Sequence, residues 1–145
     1  MGNMFQRRMR PEQWVMGSVF TCMGLVTMLF PGLVCDLAFQ KEFVSNSAPS
    51  PALLLMTQCF GSQATLGGLT ILSTKWNSTS YRNFGIFMIP YFVFDLYVRS
   101  IGAITTVGAV GDGIGNAIFA TCCYIGYTNC KKSESKPLLG NNDAE

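Results

Sequence analysis

The stretch WVMGSVFTCMGLVTMLFPGLVC, Trp14–Cys35, runs for 22 residues without a charge. Arg7, Arg8 and Arg10 precede it and Asp36 follows it. At 1.5 Å of rise per residue, a helix of this length exceeds the roughly 30 Å hydrocarbon core of a bilayer, so the stretch reads as a first membrane span. A secretory signal peptide also puts basic residues before an apolar run, but its apolar part is only about 7–15 residues long and ends in a small-x-small cleavage site. Phe30-Pro31-Gly32-Leu33-Val34 is a poor substitute for that site, which favours a retained span.

The same pattern recurs along the chain. Asp36–Pro51 carries Lys41, Glu42 and a Ser/Asn/Pro-rich run, the composition of a loop. Ala52–Thr74 is then uncharged and reads as the second span, with Pro51 suited to its first turn. Lys75–Arg82 is a short polar connector with Trp76 and Tyr81 near its ends, as at a membrane interface. So short a link enforces an antiparallel hairpin. Asn83–Val98, apolar apart from Asp95, makes the third span, with a kink expected at Pro90.

From Ser100 to Cys130 the chain is apolar except for Asp112. This is too long for one upright span. The reading adopted is an interfacial or re-entrant segment over 100–111, with Asp112 as helix N-cap and 113–130 as the fourth span. One long tilted helix from Gly102 is the alternative. The expected fold is therefore all-α, a four-transmembrane-helix antiparallel bundle. Residues 1–13 form a basic cytosolic N-terminus, 14–130 the four-helix membrane domain, and 131–145 a cytosolic tail with a disordered composition.

Lys and Arg flank the first span, fill the 75–82 connector and open the tail, whereas the opposite side has only Lys41 and Arg99. By the positive-inside rule both termini face the cytosol. The sequon Asn77-Ser78-Thr79 then lies on the cytosolic side and is expected to be unused.

Composition agrees. Of 145 residues, enough for one domain, 49% are hydrophobic and only 12% charged, about half the charge of an average soluble domain. A net charge of +2 without a basic patch gives no reason to expect nucleic acid. Cys22, Cys59, Cys122 and Cys123 lie in apolar runs, which argues against a disulfide framework. The absence of histidine removes the commonest general base and metal ligand, and neither a cofactor nor a metal site is expected.

Small residues let membrane helices approach closely. Gly17, Thr21, Gly24 and Met28 form one stripe, and Gln58, Gly61, Ser62 and Thr65 another; Gly111 and Gly115 open the fourth span. These stripes read as helix packing or, less simply, as a polar pathway. Gly111-Asp112-Gly113 does not fit a nucleotide-binding loop, because the Gly-x-Gly-x-x-Gly order is missing. Asp95 and Arg99, spaced i, i+4, share a helix face, and with Asp112 they form an expected outer polar cluster, a structural staple or a proton or ion relay. Glu134 with Leu138-Leu139 fits the acidic dileucine pattern bound by clathrin adaptors, and Cys130 beside Lys131-Lys132 is a candidate palmitoylation site. Myristoylation at Gly2 is rejected because position 6 is Gln.

The order of Gly24 to Pro31-Gly32, Phe60-Gly61 with Gly67-Gly68, and Arg99 before Gly111-Asp112-Gly113 resembles the DoxX-like group of small four-helix membrane proteins. The layout is also similar to the four-helix scaffold protein of sterol synthesis. The resemblance implies architecture; a quinone-linked role, known for some DoxX-type proteins, finds no supporting site here. The expected function is a non-catalytic accessory or scaffold protein of the endomembrane system that binds other membrane proteins. The alternatives are a small-solute or ion transporter using Asp95, Arg99, Asp112 and Gln58, and a lipid-acting membrane enzyme.

Overall fold

The computed structural model describes residues 9–44 and 48–135. They are almost wholly helical, and the fold is all-α; the one sheet-like contact is an isolated bridge between Phe39 and Ile104. The helices are α1 (Pro11–Leu29), α2 (Pro31–Ala38), α3 (Lys41–Val44), α4 (Pro51–Ser73), α5 (Ser78–Phe87), α6 (Ile89–Ser100) and α7 (Thr106–Glu134).

Local chemistry sets the boundaries. Pro11, Pro31 and Pro51 each sit in a first turn, where the missing N–H costs nothing. Ser50 caps α4 by accepting from the Leu53 N–H, and Asn77 and Ser80 form a reciprocal capping box at α5. The expected kink falls at Met88, since Pro90 offers no N–H to the carbonyl of Ile86 and the helix restarts as α6.

Two expected spans take a different form. Trp14–Cys35 is not one straight helix: α1 stops at Leu29 and α2 leaves it at a bend of 102°. The residue before a proline is pushed out of the helical region, and Phe30 adopts φ −127°, ψ 54°. The stretch before the fourth span is not re-entrant over 100–111, and Asp112 is not an N-cap. Thr105 caps α7 by accepting from the Gly108 N–H, and the helix runs unbroken through Asp112 for 29 residues, closer to the long-helix alternative. It also passes the expected boundary at Cys130 and ends only at Glu134. Among the described residues no single helix is both long and apolar enough to cross a membrane, while α1 and α2 together meet that test as a bent pair. Gln58, Gln63 and several hydroxyl residues from Thr57 to Ser73 lower the hydropathy of α4.

The helices form two antiparallel units. In the first, α1 packs on α4 with almost nothing between the backbones. A Cβ on Gly24 would lie 2.7 Å from the Gly61 carbonyl oxygen, and one on Gly61 would lie 2.8 Å from that of Gly24. Gly17 and Gly68 meet in the same way one level nearer the chain ends. Thr21 and Thr65 turn their hydroxyls onto the carbonyls of Gly17 and Gly61 in their own helices, so the seam carries no unpaired hydroxyl. At one end buried Gln13 donates from Nε2 to the carbonyls of Ile71 and Thr74, both at 2.6 Å, which satisfies the last turn of α4.

In the second unit α5 and α6 run back along α7. The Tyr81 ring lies so close to Gly126 that a Cβ there would come within 2.5 Å of it. Edge-on contact of Phe20 with Phe119, centroids 4.9 Å apart, joins the two units through α1 and α7. Met16, Ile71, Met88 and Cys123 extend this core. Arg10 and Glu134 lie at the same end of the molecule, here termed the tail end. At the other end α2 meets α4 through Cys35 Sγ and Thr57 Oγ1 (3.3 Å) and meets the start of α7 where Gly108 touches Ala38.

Replacing Gly24 or Gly61 by leucine should destabilise the fold by about 3 kcal/mol or more, because backbone lies where the side chain must go. Gly111→Ala should be neutral or stabilising by up to about 1 kcal/mol, as a Cβ there meets nothing within 4 Å. Thermal unfolding of purified variants in a mild detergent separates the two outcomes.

Candidate functional site

The strongest convergence of polar groups lies where α6 crosses α7. Asn116, buried in α7, donates from Nδ2 to Asp95 Oδ2 at 2.6 Å and to Asp112 Oδ2 at 3.3 Å. One amide thus bridges two carboxylates from different helices. Asp112 and Asn116 are one turn apart on α7, and antiparallel α6 brings half-buried Asp95 to the same level. Two carboxylates this close repel unless a proton, a cation or donor hydrogens lie between them, and Asn116 supplies such donors.

This arrangement corrects the expected cluster. Asp95 and Arg99 do not pair: among the described residues no ion pair joins them, and Arg99 Nη1 instead donates to the Ile104 carbonyl at 3.4 Å. With the chain turning back at positive-φ Gly102, that carbonyl comes within reach of the guanidinium. Gln58 does not join the cluster either. It is exposed on α4, whose inner face runs through Thr57, Gly61, Gly68 and Ile71. Gly111 and Gly115 do not mediate close packing, since a Cβ on either meets no atom within 4 Å. Asn116 is not among the expected site residues, and the sequence signal for it is the i, i+4 spacing from Asp112.

Asp112, Gly115 and Asn116 border a cavity of about 280 Å³ between α4 and the α5–α7 unit. Six rings line it, Phe20, Phe60, Phe84, Phe87, Tyr91 and Phe119, together with Met23, Thr27, Ala64 and Met88; Phe60, Phe87 and Tyr91 are well exposed. A concave apolar site with a few convergent polar groups is the usual form of a small-molecule pocket.

A second, more polar cavity of about 800 Å³ lies at the tail end, bordered by Arg10, Gln13, Lys75, Trp76, Cys130 and Glu134. Cys130 is only 3% exposed, packed on the inward face of α7, so its thiol is not presented for acylation. Nearby, Glu12 Oε1 and the Tyr81 hydroxyl are buried without a hydrogen-bond partner among the described residues. Glu134, the acidic member of the dileucine pattern, accepts from the Ser78 hydroxyl (2.7 Å) and N–H (3.3 Å). Leu138 and Leu139 lie outside the described residues.

Two measurements test this geometry. In a double-mutant cycle Asp95→Asn and Arg99→Gln should be additive within about 0.5 kcal/mol, whereas Asp95→Asn and Asn116→Ala should couple by about 1 kcal/mol or more. The hydrogen bonds from the Ser78 hydroxyl and N–H hold the Glu134 carboxyl below the usual glutamate range. The tie is therefore intact above that range and lost as pH falls through the lowered value. Carboxyl NMR titration should show Glu134 moving up toward the ordinary value in Ser78→Ala.

Compared with known proteins, the chain matches no family model, no curated protein and no solved structure.

Proposed function

We propose that this chain is a multi-pass membrane protein of the endomembrane system. In this reading it has no catalytic role, and its work is to bind other membrane proteins through its helix faces. The observation that carries the reading is the direction of its apolar side chains. α6 buries no residue at all, while Ile89, Val93, Leu96 and Tyr97 stand more than half exposed along it. On α4, Leu55, Met56, Phe60 and Leu66 do the same. Apolar surface so continuous needs lipid or protein against it. The basic residues support an orientation with the tail end in the cytosol, where Arg10, Lys75, Lys131 and Lys132 gather.

A second reading, a small-solute or ion transporter subunit, is favoured by the ring-lined cavity with Asp112 at its edge. The resemblance to DoxX-like proteins is compatible with either reading.

The protein should stay with membranes through alkaline carbonate washing, and protease added to sealed vesicles should cut the tail while sparing 36–51. Release into the wash, protection of the tail, or a sugar on Asn77 would defeat the placement. Affinity purification in mild detergent should recover a stoichiometric membrane-protein partner; a homo-oligomer alone would favour transport.

A further inference from the structure

We propose that the cavity between α4 and the α5–α7 unit is a binding site for a small lipophilic ammonium, with the rings enclosing its organic part and Asp112, backed by Asp95, receiving its charge. This goes beyond the accessory role and rests on bilayer placement only for where the ligand comes from.

The first support is space. Gly115 is buried, yet a Cβ built on it meets nothing within 4 Å. Elsewhere in this protein a buried glycine marks backbone or a ring pressed against it, as Gly24, Gly61 and Gly126 do. At Gly115 the absent side chain leaves volume, and that volume is the cavity. About 280 Å³ is enough for a one-ring amine and too little for a sterol or a quinone with its tail.

The second support is the composition of the wall. Aromatic faces carry negative potential and attract cations, organic ammonium ions above all. Rings come from α1, α4, α5, α6 and α7, so the cage exists only in the folded bundle.

The third is charge complementarity. The cavity floor presents one Asn116 N–H₂ group already committed to two carboxylates, and the wall supplies no cation: Arg99 is turned to the Ile104 carbonyl. Asp112, exposed at the cavity edge, and half-buried Asp95 stand close enough that a counter-charge is favoured, and an ammonium entering among the rings supplies it. A neutral hydrocarbon would gain no charge pairing from Asp112, and an anion would be repelled by it.

The test uses the full chain in mild detergent and radiolabelled benzyltrimethylammonium, with neopentylbenzene, its neutral carbon isostere, as competitor. The cation should bind saturably, and the isostere should compete at least about tenfold more weakly. Asp112→Asn should weaken cation binding about tenfold or more without improving the isostere. Gly115→Leu, which fills the recess without touching a charge, should abolish binding of both compounds. Equal competition by the isostere, undiminished binding in Asp112→Asn, or no saturable binding by folded wild-type protein would each overturn the site. Should Asp112→Asn fail to fold, unchanged binding in Gly115→Leu would overturn it alone. Failure of bilayer placement appears separately, as protein that remains monodisperse without detergent, and the same binding measurement is then made in buffer.

Discussion

The rest of the molecule depends on the contact between α1 and α4 at Gly17, Gly24, Gly61 and Gly68. Helices normally keep 8–10 Å between their axes because side chains interdigitate. Here carbonyl oxygens of one helix lie where a Cβ of the other would be, so no rotamer change can relieve an added methyl group. The seam also places Gln13 over the last turn of α4 and lets α2 reach Thr57. Positions along this hairpin are fixed by backbone rather than by adaptable side chains.

The second unit is of another kind. α5, α6 and α7 meet through large rings and polar side chains, with Tyr81 against Gly126 at one end and Asn116 between two aspartates toward the other. Phe20 on Phe119 is one of the core contacts with the first unit, whose Met16 and Ile71 lie in the same buried cluster as Tyr81 and Cys123. A tight pair and a looser one, joined along α1 and α7, leave a gap on the opposite side, and the ring-lined cavity is that gap.

Much of this was legible in the chain itself. Helical content, the 51–73 helix, the kink near Pro90 and the small-residue stripes follow from runs, caps and spacing that act within one helix. What could not be read were choices made between helices. Asp95 has two nearby partners in sequence terms, Arg99 on its own helix and Asn116 on another, and only the antiparallel register decides for Asn116. Gln58 lies one residue from Thr57, and which of them turns inward depends on the placement of α2. Gly111 and Gly115 looked like Gly24 and Gly61, yet the neighbour that would make them a seam is not there. The 102° bend was hidden for a different reason: Pro31 was seen as a weak cleavage site within one uninterrupted run, although its local effect is to end the helix before it.

That bend supplies one of the two ties between the units. Beyond it, α2 touches α4 through Cys35 and grips the start of α7, where the Thr105 N–H donates to the Ala38 carbonyl and the Thr105 hydroxyl to that of Leu37. At the tail end the short connector 74–77 runs straight from α4 into α5, and buried Met16 and Ile71 of the first unit share a core with Tyr81 and Cys130 of the second. The two units are therefore tied at both ends, by hydrogen bonds of α2 at one and by chain and core packing at the other. Parting the two units must begin at the α2 strap, whose hydrogen bonds can open, whereas the connector beside Lys75 keeps α4 and α5 together.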